Sequence, residues 1–466
     1  MPSIRGYRLS LIVSLVLLAV SSGTSVYLYE LRQNDLNSTV SRSADLDKQI
    51  TDLNNQIASL RVQIDQMQHG NGPDSQDSLK AQIAALTAMI NSLQATNAAQ
   101  LVEIQNLRTE VQSLQAQLAK LANPITLNGA GSTFPFPFLS AVATNYTRSH
   151  LGVQVNYQPI GSGAGIKALT DKTVDFAASD LPLTAMQQAS MPGKALMIPE
   201  TVGAVAVVYN VLESDGSTRL PIGLHLNSTV AAEIFLGQIT MWNDPAIMQL
   251  NPSLASMLPN HAIIVVHRAD GSGTTFVFTG YLKSAPNNIW TPGQGTSVKW
   301  PVGLGAAGNA GVAGVVLGTT YTIGYVEFAY ALTNPMQYSY IQNADGNNFV
   351  RPSLASVTYA MENATATNPL PQGNQSWSSV SLINAKGLDS YPIVSFSYLI
   401  VYKELNIVPG MTLDKAKALV DFLWFTVHKG QDQASPLAYV PLSPEVTAID
   451  ETSIESITFN SQTLPT

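Results

Sequence analysis

The first hydrophobic segment of the chain runs from Leu9 to Leu28 and contains no charged residue. Its length is about the 20 residues that a helix needs to cross a bilayer. Arg5 and Arg8 precede the run and Glu30 follows it. The positive-inside rule therefore predicts that residues 1–30 form a transmembrane anchor with a short cytoplasmic N-terminus, which places the remainder of the chain outside the cytoplasm as a single-pass cell-membrane protein.

A cleaved signal peptide is the alternative for the same segment. Ser21-Ser22-Gly23 is small enough for a cleavage site. Apolar residues resume immediately afterwards, at Val26, Tyr27 and Leu28. This continuation favours an uncleaved anchor over a leader that is removed.

Residues 31–123 repeat apolar side chains with heptad spacing, interrupted near 69–77. The a positions hold Ile50, Ile57, Ile64, Ile83, Ile90, Ile104, Val111 and Leu118, and the d positions hold Leu46, Leu53, Leu60, Met67, Leu86, Leu93, Leu107, Leu114 and Leu121. This pattern predicts a coiled coil. Ile or Val at a with Leu at d favours two parallel strands, and so a homo-oligomer. Asn97 at an a position and Gln100 at the following d position would fix the register.

Gly and Pro residues between His69 and Asp74 must end or bend the helix. Two architectures follow from this break. The two helical segments could stack into a stalk of roughly 110–130 Å at 1.5 Å per residue. They could instead fold back on each other as an antiparallel hairpin. The heptad positions do not decide between the two.

The hydrophobic pattern changes at Ile125. From there, short runs rich in β-branched and aromatic residues alternate with helix-like runs. The clearest strand candidates are Val153–Tyr157, Val202–Tyr209, Ala262–His267, Thr322–Val326 and Ile393–Tyr402. This alternation predicts an α/β pair of domains.

Composition narrows the classes of function. The chain has a net charge of −8, and only 12% of its 466 residues are charged, which argues against a nucleic-acid partner. It has no cysteine, which excludes disulfides, thiolate metal sites and cysteine nucleophiles. Its six histidines show no metal-ligand spacing, so we expect neither metal nor cofactor. Sequons that would suit a glycosylated outer surface begin at Asn37, Asn145, Asn227, Asn363 and Asn374.

Three Gly/Ser/Thr-rich loops share one design, because each leads into a helix-like run. They span residues 129–134, 161–165 and 270–275. Glycine lets the backbone approach a ligand closely, while Ser and Thr cap the helix and offer hydroxyl donors. The free N–H groups of a helix N-terminus attract anions. One such loop is usually plain capping, but three of them indicate convergence on one anion.

Two charged residues refine this hypothesis. Arg268 precedes the third loop and could grip two oxyanion oxygens at once, with Asp270 either orienting it or forming an ordinary salt bridge. Asp180 would repel an anion unless the anion carries a proton to donate. Hydrogen phosphate carries one and sulfate does not, so Asp180 would favour phosphate.

Seven segments resemble the phosphate-binding proteins of high-affinity ABC phosphate transporters. They are GAGSTFPFPF (129–138), YQPIGSGAGIKALT (157–170), VDFAASDLPLT (174–184), HRADGSGTTFVFTGYL (267–282), VKWPVGLGAAGNAGVAGVV (298–316), TIGYVEFAYA (322–331) and YPIVSFSYLIV (391–401). The resemblance covers about Ile125 to Val446 in order and without large gaps. It does not extend to the predicted anchor or to the heptad region.

The resemblance implies a two-lobe type II periplasmic-binding-protein fold, here preceded by a transmembrane helix and a coiled-coil stalk. The first lobe would comprise 124–202 and 393–466, and the second 203–392. The implied function is that of an extracytoplasmic receptor that binds inorganic phosphate between the lobes. It would deliver phosphate to the permease subunits of an ABC-type uptake transporter.

The family's ligand residues carry over one at a time onto matching positions. The phosphate-binding set would be Thr133, Phe134, Ser162, Asp180, Arg268, Ser272, Gly273 and Thr274, with Asp270 supporting Arg268.

Three other functions compete with this one. An enzyme is disfavoured, because Ser162 and Ser272 are not in a G-x-S-x-G elbow. A surface protein with a vestigial binding lobe is disfavoured by the intact ligand set. A receptor for another anion is the third alternative. The sequence does not exclude arsenate, because arsenate is protonated like phosphate.

Overall fold

The computed structural model describes residues 3–67, 73–346, 348–366 and 370–465, with the side chains of these residues other than 3–25, 67 and 73. The chain forms two compact units, Met1–Pro124 and Ile125–Thr466. The boundary lies where the heptad pattern gives way to the α/β pattern.

The first unit consists of two long helices, α1 (Ser3–Met67) and α2 (Pro73–Ala122). The interruption predicted near 69–77 falls at the end of α1 and the beginning of α2, and its residues 68–72 lie outside the described residues. Pro73 is the first residue of α2, a position where the missing N–H costs nothing.

The two helices run antiparallel against each other within the one chain. Arg32 Nε lies 2.9 Å from Glu110 Oε2, and Ser43 Oγ donates to Asn97 Oδ1 at 2.5 Å. As residue numbers increase along α1, the residue numbers of the contacting positions in α2 therefore decrease. Of the two architectures predicted, the structure shows the folded-back hairpin.

A buried polar layer crosses the hairpin at Asn97. Its Nδ2 donates to Asp47 Oδ1 at 2.7 Å, while Ser43 and Thr39 of α1 are buried at heptad positions of their own. The predicted polar a position thus has a polar partner in the opposite helix. Such a layer penalises slipped registers, because any shift buries Asn97 against apolar side chains. Gln100 has a buried Oε1 without a hydrogen-bond partner in the structure.

The predicted membrane anchor, Leu9–Leu28, has most of its side chains outside the described set. Among the described residues, no helix is both long enough and apolar enough to cross a membrane.

The second unit alternates strands and helices. Its strands are β1 (Ile125–Gly131), β2 (Val153–Pro159), β3 (Phe176–Ser179), β4 (Ala195–Asn210), β5 (His225–Leu226), β6 (Ile264–Arg268), β7 (Leu304–Ala306), β8 (Thr322–Glu327), β9 (Gln337–Tyr338), β10 (Tyr340–Gln342), β11 (Phe349–Val350), β12 (Val394–Tyr402), β13 (Thr458–Phe459) and β14 (Gln462–Thr463). Its α-helices are α3 (Phe136–Ser149), α4 (Ser162–Thr170), α5 (Ala185–Ser190), α6 (Ser228–Phe235), α7 (Pro245–Leu250), α8 (Gly273–Leu282), α9 (Gly308–Gly318), α10 (Phe328–Thr333), α11 (Leu354–Thr365), α12 (Leu413–Val427) and α13 (Pro444–Glu455).

Nine strands of the described residues form one mixed sheet in the order β2-β1-β3-β12-β4-β8-β6-β7, with β9 also on β4. Strands β2, β1 and β3 are mutually parallel, as are β7, β6 and β8. Between these two parallel groups, β12 and β4 run antiparallel to their neighbours. The chain thus builds two α/β halves on either side of a central strand pair.

The central strand β4 belongs to both halves. It is 16 residues long and buried throughout. Its first part pairs with β12, and its last part pairs with β8. The lobe boundary predicted at 202/203 falls inside β4, and the one at 392/393 falls just before β12. Each strand candidate named from the sequence overlaps an observed strand, and so the α/β prediction is confirmed.

One carboxyl group in the core of the second unit has no hydrogen-bond partner among the described residues. Asp450 lies on α13, is fully buried, and neither oxygen makes a hydrogen bond in the structure. Burial, reinforced by the charge of Glu451, raises its pKa well above the ordinary value. In the unfolded chain the Asp450 side chain has a pKa of about 3.9. Above that pH the unfolded chain has lost the Asp450 proton, whereas the folded protein still keeps it.

We predict that Asp450→Asn stabilises the protein at pH 8. Since the folded-state pKa is raised, wild-type stability falls as pH rises above about 4, and the amide removes that loss. The expected gain is about 1.4 kcal/mol for each pH unit by which the folded-state pKa exceeds the unfolded-state pKa, up to pH 8. Denaturant unfolding at pH 8 and pH 4 measures it. The gain should disappear at pH 4, and exposed Glu455→Gln serves as the control. An equal effect at both pH values would contradict the prediction.

The hairpin generates a second prediction, which uses the absence of native cysteine. In Ser43→Cys/Asn97→Cys, oxidation should form a disulfide within one chain, because these side chains are in contact in the structure. Non-reducing electrophoresis should show a monomer of altered mobility. Ser43→Cys alone is the matched control. In a parallel dimer, position 43 faces its own copy, so efficient cross-linked dimer from the single variant would instead support the parallel coiled coil.

Candidate anion-binding site

The three Gly/Ser/Thr-rich loops all follow the carboxyl ends of parallel strands. They connect β1 to α3, β2 to α4, and β6 to α8, and Asp180 follows β3. In open α/β sheets the carboxyl ends of the strands form the crevice where ligands bind. The sheet thus brings together segments that lie far apart in sequence.

The carboxyl group of Asp180 is the acceptor at the centre of this crevice. The side chain is 1% exposed, and Ser132 Oγ donates to its Oδ2 at 2.6 Å. Ser397 Oγ, from β12, lies 3.3 Å from its Oδ1. Burial raises the pKa of Asp180 to about 7, against the opposing effects of Ser132 and of the positive charge of Arg268. Each carboxylate oxygen has two lone pairs, so the group can accept further hydrogen bonds.

A second buried carboxyl group supports Asp180 from behind. Glu200, on β4, is fully buried, and Ser397 Oγ lies 2.9 Å from its Oε1. Burial raises the pKa of Glu200 well above its ordinary value, so the neutral acid is favoured. A hydroxyl has one proton to donate. A neutral Glu200 that donates to Ser397 leaves the Ser397 proton for Asp180.

The guanidinium of Arg268 is 1% exposed and is held along one edge by Asp270. Its Nε donates to Asp270 Oδ1 at 2.7 Å, and its Nη2 donates to Asp270 Oδ2. Its Nη1 donates to Thr274 Oγ1 at 3.3 Å. A guanidinium has five N–H groups, and among the described residues the remaining two have no acceptor. Burial alone would raise the pKa of Asp270, but Arg268 holds it below its ordinary value, so the pair is ionised.

The remaining predicted residues lie at helix starts or in the loop just before a helix. Ser162 is the first residue of α4, and its Oγ lies 3.5 Å from the Asp180 N–H. Ser272 caps α8 by accepting from Thr275 N–H at 3.0 Å. The Phe134 N–H donates to Ser132 Oγ at 3.0 Å, and is therefore engaged inside its own loop.

The loops of the two halves meet over the crevice. The Gly163 N–H donates to the Gly271 carbonyl at 3.0 Å. A Cβ atom at position 273 would overlap Asp180 and Ser162, so only glycine allows this approach of α8. The N–H groups of Gly273 and Thr274, at the start of α8, have no intrahelical acceptor.

Sequence reasoning missed Asn309, which belongs to the site's inner layer. It is fully buried near the start of α9, and its Nδ2 lies 3.0 Å from Thr133 Oγ1 and 3.2 Å from Thr274 Oγ1. A signal was available, because Gly305, Gly308 and Gly311 lie where β7 gives way to α9. Glu200 and Ser397 were missed as well, since each lies inside a mostly apolar strand.

Glu327 and Tyr439 fix the site from the other side. Tyr439 Oη lies 2.6 Å from the Phe134 carbonyl and 2.8 Å from Glu327 Oε2. Glu327 is fully buried, and burial raises its pKa well above its ordinary value. A neutral Glu327 can donate to the Tyr439 hydroxyl. That hydroxyl then donates its own proton to the Phe134 carbonyl and so fixes the loop there.

The arrangement as a whole suits a small tetrahedral anion with at least one proton. Arg268, the helix N-termini and the threonine hydroxyls supply donors. Asp180 supplies an acceptor for a proton on the ligand. Because the site is buried, a ligand that leaves any of these groups unpaired is penalised.

Comparison with known proteins finds relatives that cover more than two thirds of the chain. The PBP superfamily domain matches residues 73–426. The phosphate-binding protein PstS of Pasteurella multocida is 42% identical over 323 residues, 69% of this chain and 87% of that protein. The phosphate-binding protein PstS of Methanocaldococcus jannaschii is 34% identical over 345 residues, 72% and 86% of the two chains.

Solved structures share the fold. A high-affinity periplasmic phosphate-binding protein (PfluDING) with bound phosphate aligns with a TM-score of 0.52 at 21% identity, over 70% of this chain and 92% of that one. The phosphate-binding protein of Stenotrophomonas maltophilia aligns with a TM-score of 0.53 at 18% identity, over 70% and 93%. The two-lobe α/β fold is therefore confirmed, and the chain belongs to the PBP superfamily and, within it, to the family of the phosphate-binding proteins PstS.

Proposed function

We propose that the chain is an extracytoplasmic receptor that binds inorganic phosphate between its two halves and delivers it to an ABC-type phosphate transporter. The observation that carries the proposal is the buried Asp180 carboxyl group in a crevice otherwise lined by donors. The phosphate-binding names of its relatives support the same ligand. The proposed role is binding without catalysis.

The proposed ligand set follows from the geometry. Arg268 offers its two remaining N–H groups, and Thr133 and Thr274 offer hydroxyl protons. Ser162, Ser272, Gly273 and Phe134 complete the set predicted from the sequence, with Ser272 acting through the cap that fixes the start of α8. Of these, Phe134 needs its loop to adjust, because its N–H already has an acceptor.

Selectivity would come from Asp180 rather than from charge. The Arg268 charge is balanced by Asp270, and the chain is acidic, with a net charge of −8. At a pH where Asp180 is ionised, sulfate has no proton for it, and two unpaired acceptors would face each other. Arsenate has the same protons as phosphate, so this mechanism does not reject it.

Delivery requires that a transporter distinguish loaded from empty receptor. Contacts such as Gly163 to Gly271 join the two halves only when they are close together. A ligand held by groups from both halves stabilises that closed form and shifts the population towards it. The permease subunits would dock on the closed form.

The first unit would hold the receptor at the membrane. The uncharged run Leu9–Leu28 after Arg5 and Arg8 supports a tether with the binding unit outside.

Self-association through the heptad faces stays a proposal too. In the structure those faces pack against each other within one chain, and dimers would need either exchanged helices or a second contact surface.

We predict that phosphate binds tightly and that sulfate does not, and that Asp180→Asn narrows this difference. The amide removes the acceptor for the ligand's proton and offers an N–H group to sulfate instead. Phosphate affinity should fall about tenfold or more, and sulfate binding should become measurable. Isothermal titration against phosphate, sulfate and arsenate measures each affinity.

Asp432→Asn, which removes an exposed carboxylate, is the matched control for net charge. Comparable sulfate and phosphate affinities in the wild type would contradict the selectivity mechanism. No phosphate binding at all would overturn the proposed function.

We predict that Arg268→Ala weakens phosphate binding by roughly 30-fold or more. The change removes a buried charge-assisted contact, which costs about 2–5 kcal/mol, at tenfold per 1.4 kcal/mol. Arg268→Lys should restore little, because an ammonium group cannot span both Asp270 and two ligand oxygens. The same titration applies, with exposed Arg148→Ala as control. A loss below threefold would reduce Arg268 to a salt-bridge residue.

A further inference from the structure

Asn309 joins the two halves of the site through side-chain hydrogen bonds. Its backbone N–H and its Nδ2 both donate to Thr133 Oγ1, at 3.2 and 3.0 Å. Its Nδ2 also donates to Thr274 Oγ1 at 3.2 Å. Thr133 follows β1 in the first half, whereas Thr274 and Asn309 belong to the second.

The orientation of the Asn309 amide is fixed by the backbone. The Glu327 N–H donates to Asn309 Oδ1 at 3.1 Å, which requires an oxygen at that position. The Nδ2 group is therefore the one that faces the two threonines. Since Asn309 is fully buried, water does not compete for these bonds.

The hydrogen bonds already made by each threonine hydroxyl determine which further hydrogen bonds it can form. A hydroxyl accepts two hydrogen bonds and donates one. Thr133 Oγ1 accepts twice from Asn309. Thr274 Oγ1 accepts once from Asn309 and once from Arg268. Both hydroxyls have thus filled their acceptor capacity, and each can only donate its proton elsewhere.

We propose that Asn309 is a positioning residue that makes the hydroxyls of Thr133 and Thr274 obligate donors towards the bound anion. The inference rests on the proposed phosphate-binding function and deepens it. An amide at position 309 sets the proton direction of two hydroxyls at once, one from each half of the site. A ligand that needed to donate to either threonine would find no lone pair, which directs the protonated oxygen of the ligand to Asp180.

The test is a set of double-mutant cycles read by phosphate titration. Asn309→Ala should weaken binding by about tenfold, because both hydroxyls can then turn away from the ligand. In a Thr274→Val or a Thr133→Val background, the same change should cost clearly less, since one of its two targets is gone. Ser162→Ala is the contrast, because Ser162 belongs to the site but makes no bond to Asn309. There the effects should add.

Asn309→Asp provides a second measurement that does not depend on removing the side chain. The carboxylate keeps the shape of the amide and the Oδ1 contact, but it accepts from the threonines instead of donating. It should weaken phosphate binding more than Asn309→Ala does. If Asn309 were needed only for packing, Asn309→Ala would weaken phosphate binding more than Asn309→Asp, and that result would overturn the inference.

The remaining outcomes are also decisive. Equal losses from Asn309→Ala in all three backgrounds would show that Asn309 acts independently of the threonines. If Asn309→Ala does not fold, Asn309→Ser and Asn309→Asp go through the same cycles. Failure of the wild-type chain to bind phosphate would defeat the proposed function itself, which separates that failure from one confined to Asn309.

Discussion

The burial of Asp180 together with Arg268 in one crevice is the constraint on which the architecture of the second unit depends. Two ionisable groups removed from water need a full set of partners, because each unpaired bond costs more than the paired one gains. For Asp180 these partners are serine hydroxyls from a loop and from β12. For Arg268 they are Asp270 and Thr274. Only a sheet that directs the ends of several parallel strands into one space brings such distant groups together.

The support behind this pair is made of acids whose neutral form is favoured by burial. Glu200 and Glu327 are fully buried, and burial raises both pKa values. Glu200 faces the Ser397 hydroxyl and Glu327 faces the Tyr439 hydroxyl, and each hydroxyl also contacts a second acceptor. A protonated carboxyl group can donate to the hydroxyl, which then donates its own proton to that second acceptor. An acidic protein can therefore hold an anion, since the carboxyl groups behind the site can act as donors, while Arg268 and the helix N-termini meet the charge of the anion.

Local motifs made much of the site predictable from the sequence. Glycine-rich turns before helices are short-range features, and so loops 129–134, 161–165 and 270–275 could be found without a fold. Strands such as β4 and β12 were recognisable from long β-branched runs, whereas the four residues of β3 are too short for any period. Asn309, Glu200 and Ser397 could not be assigned, because only the pairing of distant strands and helices gives them partners.

The hairpin shows a different limit. A heptad pattern records that a helix has an apolar face and says nothing of the direction of the helix that covers it. The deciding information lay in the polar positions: Asn97 in α2 has Ser43 of α1 opposite it in the antiparallel arrangement. Matching polar residues across the two repeats would have favoured the folded-back form.

The pairing of β4 with β12 also determines when the fold can be completed during synthesis. Val394 pairs with Ala204, a separation of 190 residues along the chain. Until β12 has emerged from the ribosome, β3 and the first part of β4 lack the strand that lies between them. Closing so long a loop is slow, and the exposed strand edges invite aggregation meanwhile. In a nascent chain of this design, these strand edges stay unpaired until Val394–Tyr402 has been translated.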